Sequence, residues 1–117
     1  MYSRAVLACI LFVSLAAAQS GEDPLVTFTR REIASTKTYR PAAGYVPDSE
    51  TAVAVAVAIL KPVYGEAKVD SEKPWHTGLK DGVWTVVGTF QGPGVGGSAV
   101  IQLDKKTGAV LFLGHTQ

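Results

Sequence analysis

The strongest constraint on this chain is its apolar run from Ala52 to Tyr64, bounded by Pro47-Asp48 on one side and Gly65 on the other. Asp48 suits a helix N-cap, where a carboxylate oxygen takes up an unpaired N–H of the first turn. Glu50 falls in that first turn, where the helix dipole favours negative charge. Gly65 suits the position just past a helix end. One signal disagrees: Ala52 to Ala58 alternates Ala and Val, which has the period of a strand. Four alanines, the cap and the length favour a helix within Tyr45 to Gly65. Pro62 is expected to kink its last turn or end the regular helix near Leu60.

As a helix, the run carries two apolar stripes. Val53, Ala56, Val57, Leu60 and Tyr64 form one, and Val55, Ile59 and Val63 form another on a different side. A surface helix normally shows a single apolar face. The second stripe is therefore covered by something further, either the chain's own N-terminal arm or a partner chain.

After Gly65 the period changes to that of strands. Lys73 to Leu79, Val83 to Phe90, Ser98 to Leu103 and Ala109 to Leu113 read as four strands. Asp81-Gly82 is a hairpin turn, Gly92 to Gly97 is a glycine-rich connection, and Asp104 to Gly108 is a longer hairpin loop. Trp84, Val86 and Phe90 share one strand face, as do Ala99, Ile101 and Leu103. The expected fold is α+β, with one main helix packed on an antiparallel β-meander.

The amino-terminal part is expected to be processed and exported. Arg4 precedes an apolar run from Ala5 to Leu15, followed by Ala16-Ala17-Ala18. That is the order of a secretory signal peptide over residues 1–18, with cleavage before Gln19. The alternative, a membrane anchor, needs roughly 20 apolar residues to span a bilayer. Cleavage removes Arg4 and Cys9, the one cysteine, and leaves equal numbers of acidic and basic groups. The mature chain then relies on its core alone, without a disulfide. Export places it in the periplasm of a Gram-negative bacterium, and outside the cell otherwise. Residues 19–43 read as a polar arm in which Leu25 to Thr29 forms a short strand at a sheet edge, and residues 44–117 as the folded domain.

Composition narrows function mainly by exclusion. With 11 basic and 10 acidic residues the formal charge of the whole chain is +1. That argues against a nucleic-acid binder and against a polybasic membrane-surface protein. The glycine-rich connection lacks the Lys-Ser/Thr of a phosphate loop and joins two strands. His76 and His115 are the only histidines, too few for a closed metal site. Ser71 and Ser98 lie in nothing like a nucleophile elbow. Asp48 and Glu50 fit a helix start, and Asp70 and Glu72 a solvated loop, rather than an acid–base pair. No catalytic residue, metal or cofactor is assigned, and the protein reads as a non-enzymatic binding module. Trp84 has alternating apolar neighbours and belongs to the core. Trp75, beside Lys73, Pro74 and His76, falls on an edge strand, since proline is confined to such places. It is the candidate anchor for a protein partner, with Lys73 and His76 as its polar rim and Val55, Ile59 and Val63 as a second candidate surface.

Several segments together resemble a known family. They are Gly44-Tyr45-Val46-Pro47-Asp48-Ser49-Glu50-Thr51-Ala52, Leu60-Lys61-Pro62-Val63-Tyr64-Gly65, Lys73-Pro74-Trp75, Leu79-Lys80-Asp81-Gly82-Val83-Trp84-Thr85-Val86, Gly96-Gly97 and Lys105-Lys106-Thr107-Gly108-Ala109-Val110. From Gly44 to His115 the chain is similar to the NTF2 fold immunity proteins of bacterial polymorphic toxin systems. The resemblance implies a helix on a curved antiparallel sheet, an NTF2-like or cystatin-like half-cone. It implies no catalysis and no cofactor, and binding that neutralises a toxin. Val100 to Leu111 is also similar to PepSY-type domains, which implies an exported inhibitor or regulator of a peptidase. A homodimeric structural domain using the second helix stripe is the third alternative.

Overall fold

The structure, a computed structural model, describes residues 21–92 and 97–117. The segment expected to be a signal peptide, with Cys9, and most of the glycine-rich connection lie outside the described residues. The chain divides into two compact units, one ending at Tyr39 and one beginning at Arg40.

The first unit holds α1 (Pro24–Ser35). A strand was expected over Leu25 to Thr29, and it is a helix instead. Asp23 caps it by accepting from Leu25 N at 2.8 Å, and Pro24 occupies the first helical position. Proline there loses nothing, because that N–H has no helical partner. The alternation Val26-Thr27-Phe28-Thr29 is overruled by this start and by the helix formers that follow it. No α1 residue is buried.

The second unit is α+β. It contains α2 (Ser49–Tyr64), the short α3 (Glu66–Ser71), β1 (His76–Lys80), β2 (Val83–Val87), β3 (Ala99–Asp104) and β4 (Val110–His115). The strands form one open antiparallel sheet in the order β1-β2-β3-β4. Asp48 caps α2, accepting from Thr51 N at 2.8 Å. The Thr51 hydroxyl and then its N–H hold the Asp48 carboxyl below its ordinary value. Gly65 ends the helix, donating to Lys61 O. Pro62 sits inside the last turn and the helix runs on to Tyr64, past the expected end at Leu60. The short α3 was not expected. A six-residue element presents too little periodicity to separate from a loop.

Burial on α2 follows a line through Ala52, Ala56 and Leu60, each with no accessible surface. Val53 and Val57 flank that line on one side, Val55 and Ile59 on the other, and all four pack against the core. The two expected stripes are thus two flanks of a single broad face. Opposite it lie Trp84 and Val86 of β2 and Ala99, Ile101 and Leu103 of β3. Phe90 was expected on this face but lies beyond the end of β2 and is exposed. Complete burial of a side chain such as Leu60 stabilises by about 1.5–3 kcal/mol.

Polar contacts fix the rim of this core. Asp81 (φ 51°) and Gly82 (φ 73°) form the β1–β2 turn, the paired positive φ that matches strand twist. Gly82 O accepts from Lys105 N at 2.8 Å, joining that turn to the β3–β4 loop. Val46 N in turn donates to Lys105 O at 3.0 Å, and Val46 O accepts from Trp84 Nε1 at 2.9 Å. Gly44 lies at φ 87°, and a Cβ there would fall 2.4 Å from Lys105 O, so only glycine fits.

Candidate partner-binding surface

The Trp75 region is built from the end of α3 outward. Glu72 follows α3 and is 3% exposed, not in the solvated loop expected for it. Its backbone carbonyl accepts from Thr89 N at 2.7 Å, and its Oε1 accepts from Ala99 N at 2.6 Å. Gly88 N donates to Ala99 O at 3.0 Å. One residue therefore ties the exit of β2 to the entrance of β3, through its backbone carbonyl and its carboxylate, and a buried polar side chain is tolerated only with such a partner. Packing is tight here: a Cβ on Gly88 would lie 2.7 Å from Glu72 Oε1 and 3.0 Å from the Trp75 ring.

Thr89 then fastens the segment ahead of β1. Its hydroxyl donates to Pro74 O at 2.6 Å and lies 2.9 Å from His76 Nε2. With its single proton directed at Pro74, the hydroxyl accepts from His76, which places a proton on Nε2. Gln91 Nε2 donates to Lys73 O at 2.5 Å. The Lys73-Pro74 peptide bond is cis.

Trp75 sits one residue ahead of β1 rather than on it. It is half-buried and packs against the core, and its indole N–H is buried without an acceptor among the described residues. Lys73 is exposed and pairs with Asp70 at 3.6 Å. His76 opens β1 and is exposed. On α2, Val55 and Ile59 are half-buried against the same core as Trp75, whereas Val63 is exposed in the last turn. Of the six residues singled out in the sequence, Trp75, Val55 and Ile59 therefore share one hydrophobic cluster. Lys73, His76 and Val63 stand at the surface.

A second feature has no clear sequence signal. A cavity of about 290 Å³ is lined by Tyr64, Lys68, Glu72, Gly97, Ala99 and His115. Tyr64 and His115 meet edge to face, ring centres 6.1 Å apart, with the Tyr64 hydroxyl 3.4 Å from His115 Nδ1. Only the α2–β4 packing brings these two residues together, 51 positions apart. His76 and His115 lie on opposite edge strands, so they cannot share a metal. Among the described residues no three His, Cys, Asp or Glu side chains cluster as metal ligands, and no helix is long and apolar enough to cross a membrane.

Comparison with known proteins adds one positive finding. Neither the curated proteins nor the solved structures give a match. A family model does, that of the NTF2 fold immunity proteins, over residues 51–117. The matched segment begins in the first turn of α2 and includes α3, the whole sheet, the Trp75 corner and the Tyr64–His115 cavity. With an α+β architecture of the kind this family has, and with more than half of the chain matched, the chain belongs to the NTF2 fold immunity protein family.

Proposed function

We propose that this protein is exported through a cleaved signal peptide and neutralises a toxin by binding it directly, without catalysis. The observation that carries the binding role is the family match over residues 51–117, and export rests on the order of charge, apolar run and small residues over 1–18. The binding surface is the corner around Trp75, with Lys73 and His76 at its rim and Val55, Ile59 and Val63 as the adjoining apolar stripe. In its favour, the backbone of this corner is held by Thr89, Gln91 and Glu72 before any partner arrives. A pre-organised anchor lowers the ordering cost of binding. An aromatic ring among polar neighbours is the usual make-up of a binding hot spot.

The test starts from the genes that flank this one, each produced as a candidate toxin. Growth of toxin-producing cells is compared with and without this protein, and the purified pair is titrated by calorimetry. Restored growth together with a stoichiometric complex is the expected result. Trp75→Leu, which keeps apolar bulk against the core, should weaken the complex by about 2 kcal/mol, roughly 30-fold. Protection without any complex would overturn the reading. A complex unchanged by Trp75→Leu would move the surface elsewhere.

A further inference from the structure

The two edges of the sheet are not alike. Pro74 and Lys73 precede β1 and Lys80 ends it, the proline and charge with which edge strands commonly refuse a neighbour. In contrast, β4 reads Val-Leu-Phe-Leu-Gly-His, with no Asp, Glu, Lys or Arg. Among the described residues it pairs only with β3. Val110, Leu111 and Phe112 are 45%, 54% and 52% exposed. The main helix packs chiefly over β1, β2 and β3, and meets β4 at its far end, where Tyr64 touches His115.

The ladder shows which part of β4 is free. Thr116 N donates to Ser98 O at 2.9 Å, which sets the phase of the β3–β4 bonds. By antiparallel alternation Gly114 and Phe112 bond inward to β3, while the N–H and C=O of His115 and Leu113 point to the open edge. Register shifts between Gln102 and Leu103, so Leu111 is a bulge, and the regular part of the edge runs from Phe112 onward. On the outer face the Phe112 ring lies over Gly114: a Cβ there would come 2.9 Å from Phe112 Cζ.

We infer that β4 pairs antiparallel with β4 of a second copy of this chain, about a two-fold axis at Gly114, joining two four-stranded sheets into one of eight. Three features favour a second copy over an unrelated strand. The edge carries no fixed charge, so two identical strands meet without repulsion. The free groups of Leu113 and His115 fall opposite those of His115 and Leu113 in the copy, so each bond is made twice, as an isologous contact requires. Glycine at the axis lets the two backbones approach, and the Phe112 rings, each folded over its own Gly114, meet across the axis on the outer face. The contact is small, so the dimer forms in the micromolar range and not as an obligate pair.

The test is sedimentation equilibrium on the purified protein from micromolar to hundreds of micromolar, with amide exchange followed at Leu113 and His115. Wild type should pass from one chain to two, with exchange at those two amides slowing as dimer forms. Phe112→Lys, at an exposed site, should abolish the shift while leaving the circular dichroism spectrum unchanged. Leu79→Lys on β1 and Ile33→Lys on α1 should leave it intact. A monomer across the whole range overturns the inference. So does a dimer that persists in Phe112→Lys, or one lost equally in Leu79→Lys or Ile33→Lys. Should Phe112→Lys not fold, the wild-type exchange decides: no concentration dependence at Leu113 and His115 overturns the inference.

Discussion

Two helices of this chain start alike and end differently. Both α1 and α2 are capped by an aspartate, Asp23 and Asp48, whose carboxylate accepts a first-turn N–H. Yet α1 buries nothing, while α2 buries Ala52, Ala56 and Leu60 completely. α1 has 12 residues, near the lower limit of about 12–15 for a helix to persist in water by itself. The cap therefore decides where a helix begins, and the buried face decides what it contributes to stability. In α1 the apolar Leu25, Phe28 and Ile33 remain exposed. In α2 small residues occupy two of the three buried positions, which lets the helix sit close to the sheet.

That contrast can be broken in four ways. The largest effect is expected opposite α2. Trp84→Ala removes a buried ring and the bond to Val46 O, and should cost about 3–5 kcal/mol in denaturant unfolding. A loss near zero would mean that the sheet does not depend on the α2 contact. Leu60→Ala should cost about 2–5 kcal/mol, depending on how far Ala56 and Ile101 can close the gap. The third test concerns the cap. The Asp48 carboxyl is held below its ordinary value of 3.8 by Thr51, so its contribution is fully present above that pH. It should be lost as the pH falls through the lowered value, and Asp48→Asn, still a good cap, should flatten that part of the thermal-midpoint profile. Asp104, held down by Thr107, titrates in the same direction, so Asp48→Asn removes only part of the slope. The smallest effect belongs to α1: Ile33→Ala should change the unfolding free energy by no more than about 0.5 kcal/mol. A larger change would mean that the α1 face is buried in solution.

What the sequence disclosed follows the same division. The cap at Asp48, the stop at Gly65 and the Asp81-Gly82 turn are local signals, and each stands where it was expected. The buried faces of β2 and β3 were legible from alternation as far as Val86 and Leu103. The misreadings came where two local signals competed or where distance along the chain mattered. At Leu25 to Thr29 the β-branched alternation hid a helix whose start was written in Asp23-Pro24. Glu72 looked solvated because its partner Ala99 lies 27 positions away. The Tyr64–His115 contact likewise has no trace in either residue's neighbourhood. Trp75 could be placed near an edge from Pro74, but its partial burial depends on Gly88, whose role only packing discloses.

The clamp made by Glu72 brings two strand ends to one position. Thr89 N is held by its backbone carbonyl and Ala99 N by its carboxylate, so the exit of β2 and the entrance of β3 are fastened to the end of α3 as well as to each other. A change of side chain at this position would release the second bond and leave the first, because the backbone carbonyl outlasts any substitution. The corner would then loosen by halves rather than all at once.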